Sequence, residues 1–448
     1  MLFPDRIGLL LREQSKLEQK GERRKKEMKR LWMAVFAVGF LIGLGGVYGV
    51  QAGEIDAMHL INLLKQKGVL TQEEADGLLN EARRQAKAEK EELKVEIKQE
   101  GEKGAYLPKA LKDIGFSSTI FAEWNMKDTE KGGTTTNQFL LNRAYLTLKK
   151  KITPWLGINL TTDIFTSKDK DDAGQGLEVR QKYALAELYL AGTTTELGLT
   201  HTPSDQYDSD LWPYRVQGKH FLDRHSIQAS ADLGLNIRGP FGPTLDSERY
   251  AQYGSKTYNG KWGGYQVGIY NGPGYTNLEN NTQKAVSGMV YFRPAPRVDM
   301  LQGLQLAYYG TYGKSNTNYT EKGKTNDFPD WQVNIAQLGW QHKRFSLMGQ
   351  YYWGKGTATS TEDKDRTGWL AAGFVRIPGV EKLRLFGKVD VYDPDKDKSN
   401  NSETVYIAGL SYDVSKEFMP FVAYERTDFE DPKKADTNMF QVGFQLKF

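Results

Sequence analysis

The eleven residues Asn438 to Phe448 limit this chain more than any other segment. Phe440, Val442, Phe444, Leu446 and Phe448 alternate with Gln441, Gly443, Gln445 and Lys447. Side chains on a strand point to opposite faces in turn, so one face here is wholly apolar and the other polar or bare. A strand greasy on one side and wet on the other is what the wall of a membrane barrel needs, provided that other strands repeat it.

They do. Comparable segments lie near residues 115–128, 139–151, 156–167, 180–191, 195–203, 231–239, 262–271, 284–294, 303–313, 331–343, 345–356, 367–377, 383–393, 404–415, 418–429 and 437–448, sixteen in all. An even number lets an antiparallel sheet close with both ends on one side, and closure leaves no unpaired backbone in lipid. Composition agrees, since hydrophobic residues make up only 39% of the chain while aromatics reach 12%, with 24 Tyr and 46 Gly. Apolar residues spread this thinly fit one-faced strands around a polar lumen, with Tyr and Trp at the membrane interfaces. The expected fold is an all-β membrane protein, an antiparallel transmembrane barrel of about 16 strands over 109–448, in the outer membrane of a Gram-negative cell.

The connections alternate in the way such barrels require, with short turns on the periplasmic side and long loops outside. Thr153-Pro154-Trp155, Lys343-Arg344, Ile377 to Lys382 and Ser415-Lys416-Glu417 are tight. Lys168 to Val179, Lys314 to Asp330, Gly356 to Thr367, Asp393 to Glu403 and Glu430 to Thr437 are long and hydrophilic. One connection breaks the rule: Pro240 to Lys261 is long where a turn is due, which leaves eighteen strands as an alternative count.

Upstream, Leu31 to Val50 is an apolar run behind Lys29 and Arg30, and it leads to Val50-Gln51-Ala52. This is the pattern of a secretory signal cleaved after Ala52, so residues 1–52 are expected to be removed. Met28 directly precedes Lys29, and residues 1–27 read as an over-extended start. Residues 53–108 are expected to form a periplasmic helical module and linker. Ile55, Met58, Ile61 and Leu64 recur at helical spacing, Gly68 interrupts, and Thr71 with Glu74 forms a capping box for a second helix. Glu81 to Glu100 is almost entirely charged or small, which suits an exposed helix or a weak coiled coil.

The chain has no cysteine, which excludes disulfides, thiolate metal sites and covalent haem. Its formal charge of +4 comes from residues 1–52, and the remainder carries 50 basic and 51 acidic residues. That balance does not suggest a nucleic-acid partner. No cofactor is implied.

Several segments resemble the phosphate-selective porin O and P family: Asn142-Arg143-Ala144-Tyr145, Gln217-Gly218, Asp223-Arg224, Tyr270-Asn271-Gly272-Pro273-Gly274-Tyr275 and Phe292-Arg293-Pro294. The likeness covers roughly residues 115–448. It implies a sixteen-stranded, homotrimeric, water-filled channel that passes small hydrophilic solutes and favours anions such as phosphate. A terminal Phe448 resembles the sorting signature read by the outer-membrane barrel-assembly machinery.

In porins similar to this chain the third external loop folds into the lumen and narrows it. Ser204 to Ser230 falls at that position and holds Arg215, Lys219, His220 and Arg224 among aromatics. Fixed cations in a narrow aqueous pore attract anions and oppose cations. Asp205, Asp208, Asp210 and Asp223 in the same loop bring its charge close to balance and favour the mixed-charge eyelet of a general porin over selective anion binding. Arg143, Lys149, Lys182, Arg238, Arg293, Arg384 and Lys388 could extend a basic ladder along the strands, partly cancelled by Glu187 and Asp390.

Two other classes are weighed. A barrel enzyme would need a nucleophile with an oriented base, and five histidines, with Ser226 beside His225, do not supply that by adjacency. A structural barrel sheathing or docking a periplasmic electron-transfer partner stays open, with the helical module as its docking element.

Overall fold

The computed structural model describes residues 80, 113–130, 133, 135–167, 176–245, 257–320 and 327–448. The expected signal segment with Ala52, and the helical module of 53–108 except Asn80, lie outside the described residues.

Sixteen strands form one closed antiparallel barrel. They are β1 (Ile114–Thr129), β2 (Thr136–Thr153), β3 (Leu156–Thr166), β4 (Leu177–Leu190), β5 (Thr193–His201), β6 (Ala231–Phe241), β7 (Gly263–Tyr270) and β8 (Ala285–Phe292), followed by β9 (Leu304–Lys314), β10 (Asp330–His342), β11 (Phe345–Lys355), β12 (Asp365–Ile377), β13 (Val380–Asp393), β14 (Glu403–Tyr412), β15 (Phe418–Phe429) and β16 (Thr437–Lys447). Every neighbour in space is a neighbour in sequence except at the seam, where β1 pairs with β16 from Thr119↔Lys447 to Thr129↔Thr437. Beyond the last strand residue, Phe448 exchanges backbone hydrogen bonds with Ser118, at 2.8 and 3.0 Å. Its ring lies 5.9 Å from that of Phe116.

The alternative of eighteen strands is corrected. β6 hydrogen-bonds directly to β7 from Gly234↔Tyr270 to Phe241↔Gly263, which leaves no place in the wall for two more strands. The long connection between them instead starts as a short ladder off the wall, with a bridge between Thr244 and Gly260.

Alternation persists around the wall. On β16, Phe440 and Val442 are exposed outward while Gln441 and Gln445 are buried inward. Trp353, Trp369, Tyr351, Tyr406, Tyr412 and Tyr424 face outward among the exposed residues, as the interfaces of a lipid-embedded barrel require. Val442 sits on that face, opposite Trp124 on one neighbour and Val422 on the other. Val442→Arg is therefore expected to lower the unfolding free energy by about 2–4 kcal/mol, the cost of a cation near the bilayer midplane. Urea titration of the barrel refolded in lipid vesicles measures this, and an unchanged midpoint would contradict a lipid-facing assignment.

Candidate functional site: the loop across the lumen

The connection between β5 and β6 turns inward. It forms helix α1 (Pro203–Leu211), crosses the lumen, forms the one-turn helix α2 (Phe221–Arg224) and returns to β6. Pro203 at the start of α1 suits a first helical position, where no amide hydrogen is needed. The loop's aromatic and aliphatic side chains, Tyr207, Leu211, Trp212, Tyr214, Val216, Phe221, Leu222 and Ile227, are all buried. Residues of this kind would be unstable in an external loop, and here they pack against the inner wall to make the main apolar cluster.

Hydrogen bonds fix the loop to strands β9–β11 and β13–β16. Tyr207 donates to Gln305 on β9 at 2.9 Å. Gln337 on β10 and Gln350 on β11 both donate to Asp208 Oδ1, at 3.1 and 2.9 Å. Lys388 on β13 reaches Lys219 O at 3.3 Å, and Tyr214 pairs with Ser411 on β14 at 2.8 Å. Gln217 donates to Glu425 on β15 at 2.8 Å and to Gln441 on β16 at 3.1 Å. Two wall glycines admit the loop: a Cβ on Gly339 would stand 2.8 Å from Leu211, and one on Gly368 would stand 2.6 Å from the Phe221 ring.

Docked against β9–β16, the loop leaves its Arg215 side toward β2–β4. Two β-bulges shape that wall. Phe121 pairs with Arg143 and Ala122 with Leu141, so Asn142 is an extra residue on β2. Thr161 pairs with Tyr183 and Thr162 with Gln181, so Lys182 is an extra residue on β4. A bulge inserts one residue and re-aims its neighbours. Asn142 consequently reaches the loop at Val216 O, 3.4 Å away, while Arg143 next to it reaches Asp163 at 3.5 Å. Lys182 is buried against Tyr145, 3.4 Å from its hydroxyl, with its ammonium 4.7 and 5.4 Å from the ring centres of Tyr145 and Tyr183.

Among the described residues, five cations and three carboxylates thus lie where the loop faces β2–β4. Arg180 shares Asp163 with Arg143, at 2.9 Å, and both guanidinium groups lie over the Phe165 ring. On the loop, Arg215 bridges Asp205 and Asp223, the latter at 3.0 Å, and Lys219 pairs with Asp223 at 3.1 Å. No carboxylate forms an ion pair with Lys182 among the described residues. Glu123 on β1, another inward carboxylate, is held by Asn125 and Gln441 at 2.7 and 2.9 Å.

The remaining sequence candidates lie elsewhere. Arg224 pairs with Glu425, and Lys388 with Asp390 at 2.8 Å, where they anchor the loop to β13 and β15. His220 is buried and within 2.9 Å of Ser209 Oγ, which ties α2 to α1. Arg384 shares Asp413 with Arg376, beside the connection from β14 to β15. Arg293, in the connection from β8 to β9, donates to Gln302 O and Tyr258 O, both at 3.3 Å. Arg238 pairs with Glu196. Sequence reading passed over Arg180, Asp163, Tyr145 and Tyr183. A signal for them exists in the outward residues, whose spacing slips by one between Leu141 and Ala144 on β2, and between Gln181 and Ala184 on β4.

No family model and no curated protein matches the chain. Solved structures do. OprB of Pseudomonas putida aligns with 75% of this chain and 94% of its own at 11% identity, with a TM-score of 0.53. The anion-selective porin from Comamonas acidovorans aligns with 75% and 99% at 12% identity, with a TM-score of 0.51. OmpF of Salmonella typhi aligns with 75% and 97% at 11% identity, with a TM-score of 0.50. The fold is a porin fold. A closed sixteen-stranded barrel of this build belongs to the Gram-negative outer membrane.

The loop also holds a titratable latch. Asp208, on α1 and outside the strands, is pushed up to about 7 by burial, against the pull of the two glutamine amides and with Asp205 and Lys388 nearby. A carboxyl raised in the folded state gives stability that is complete below its ordinary value and lost as pH rises through the raised one. Docking of α1 should therefore weaken between about pH 4 and pH 7. Hydrogen exchange of amides 204–211, corrected for intrinsic rates, should accelerate over that interval in the native protein, and much less in Asp208→Asn.

Proposed function

We propose that this chain is an outer-membrane diffusion channel for small hydrophilic solutes, narrowed between the loop and the β2–β4 wall and favouring anions such as phosphate. The observation that carries this reading is the excess, among the described residues, of five cations over three carboxylates at that gap, with Lys182 unmatched by an ion pair there. Side-chain exposures of 20% for Arg143, 26% for Arg180 and 49% for Lys219 leave these three charges in reach of water, whereas Lys182, 4% exposed, adds its field from a buried place and the Lys388–Asp390 pair at 1% and 0% is sealed. Weakly held anions pass when several partly neutralised sites follow one another, because each attracts without trapping. A sheath around a threaded protein fits less well, since the loop occupies the lumen and bonds to strands across it. Nothing in this reading asks for a catalytic or cofactor role.

The outer surface supports a homotrimer. On β3–β5 the only aromatic residues of Tyr, Phe or Trp type are Phe165, Tyr183 and Tyr189, and all three turn inward, toward Arg180, His201 and Glu187. Leu160, Leu190 and Leu197 leave a smooth aliphatic strip where the rest of the wall carries interfacial aromatics. Such a strip suits protein contact better than a lipid interface. In this reading residues 1–52 direct export with cleavage after Ala52, residues 53–108 form a periplasmic helical module, and Phe448 serves barrel assembly.

Single channels in planar bilayers under a salt gradient provide the test. The native protein should show an anion-selective reversal potential and reduced chloride current on adding phosphate. Arg143→Gln, Arg180→Gln and Lys182→Gln together should move the reversal potential toward zero or beyond. A cation-selective native channel overturns the anion preference, and no conductance at all overturns the channel. For assembly, the native protein should run as an oligomer on non-denaturing gels, and Leu160→Arg with Leu197→Arg should convert it into folded monomers.

A further inference from the structure

The described ends of the connection between β6 and β7, residues 242–245 and 257–262, lie on the side opposite to the loop's origin, and residues 257–258 reach inward to meet the loop. The connection's limbs are zipped by Lys261 N to Pro243 O at 2.8 Å and Leu245 N to Asn259 O at 2.7 Å. That ladder presents Thr257 and Tyr258. Tyr258 is 3% exposed. Its hydroxyl lies 3.2 Å from Pro203 O, the first carbonyl of α1, and 2.7 Å from Gln266 Oε1 on β7. Its ring packs edge-on against Tyr207 of α1, 5.3 Å between centres, and against Tyr291, at 5.9 Å. Gln206 of α1 donates to Thr257 Oγ1 at 3.1 Å. Behind the ring, Arg293 donates to the Tyr258 carbonyl and Gly260 N donates to Tyr291, so the connection is itself held.

We infer that Tyr258 is a positioning residue for the constriction, through which the connection 242–262 supports helix α1 and so sets the width and charge of the gap. The link is short. Pro203, which Tyr258 touches, stands two residues before Asp205, and Asp205 holds Arg215 at the gap. α1 is nine residues long, too short to be stable without tertiary support. Its hydrogen bonds to the wall, at Gln305, Gln337 and Gln350, come from β9–β11 and engage Tyr207 and Asp208, and Tyr207 also packs on Tyr291 of β8, 5.5 Å between centres, whereas the connection supplies the hydrogen bonds at Pro203 and Gln206. With those contacts removed, the first turn of α1 is free to move, which carries Asp205 away from Arg215. A functional role for a segment this long explains why a two-residue turn was not enough.

This inference rests on the channel reading, and the same bilayer measurement separates the two. Tyr258→Phe removes the hydroxyl and keeps the ring; Tyr258→Ala removes both. Transient closures should become about fivefold more frequent in Tyr258→Phe, the ratio that corresponds to one net hydrogen bond. Tyr258→Ala should add a shift of the reversal potential, because Arg215 loses its fixed place. Val442→Arg, which destabilises the barrel from the lipid side, should leave closure frequency and reversal potential unchanged, so that general instability does not mimic the effect. Native-like closures and selectivity in Tyr258→Ala would overturn the inference. Should Tyr258→Ala fail to refold, Tyr258→Phe and Gln206→Ala decide, and unchanged closures in both would overturn it. Silence of every variant together with the native protein would instead refute the channel reading.

Discussion

A backbone amide or carbonyl without a partner in hydrocarbon costs several kcal/mol, and that cost governs this molecule. β1 must find β16 across more than three hundred residues of chain, and it does so along eleven pairs. Once the sheet closes, the number of strands sets the circumference, and the alternation decides that polar side chains face inward. A sixteen-stranded ring is too wide for wall side chains to fill. The loop between β5 and β6 fills part of that space, with bulky aromatics at its contacts with the wall and charges along its free side.

The electrostatics of the lumen are then a matter of differences. Most inward cations have a carboxylate close by, and those pairs do structural work: Arg224 with Glu425 and Lys388 with Asp390 join the loop to its seat. A buried pair of this kind adds little net stability, but breaking one partner off is costly, which fixes the loop in a single place. Selectivity is left to the few charges that the pairing does not cancel. The two bulges matter here because regular alternation would have sent either Asn142 or Arg143, and either Lys182 or Tyr183, out toward lipid.

The strands were legible because each had to satisfy lipid on one face, and that demand is written in single residues such as Phe440, Val442 and Phe444. The lumen was less legible because its residues answer to one another across the barrel. Nothing near Lys388 in sequence points to Lys219, and nothing near Asp208 points to Gln337 or Gln350. The charged residues of the loop could be named in advance, but whether each faces the gap or the wall depends on contacts up to about two hundred residues away, as between Gln217 and Gln441. Arg180 carries nothing in sequence that sets it apart from its strand neighbours, and under strict alternation Tyr183 stands on the face opposite Lys182, so that only the bulge turns both inward.

The two connections that are longer than turns have a common physical origin in strand length. β7 and β8 have eight residues each, whereas β2 has eighteen. A tilted strand needs about 9–11 residues to cross the hydrocarbon layer, so the wall at β7 and β8 is low. The connections that flank these strands make up the height. Trp262, Val298 and Met300 are 40%, 51% and 52% exposed and continue the apolar outer surface past the strand ends. Trp340 on β10 donates to Met300 O at 2.9 Å, which ties the second connection to a taller strand. Seen in this way, the segment that sends Tyr258 inward to the loop also sends Trp262 outward, four residues later, to the membrane. One departure from the short-turn rule thereby serves both the lipid face and the lumen.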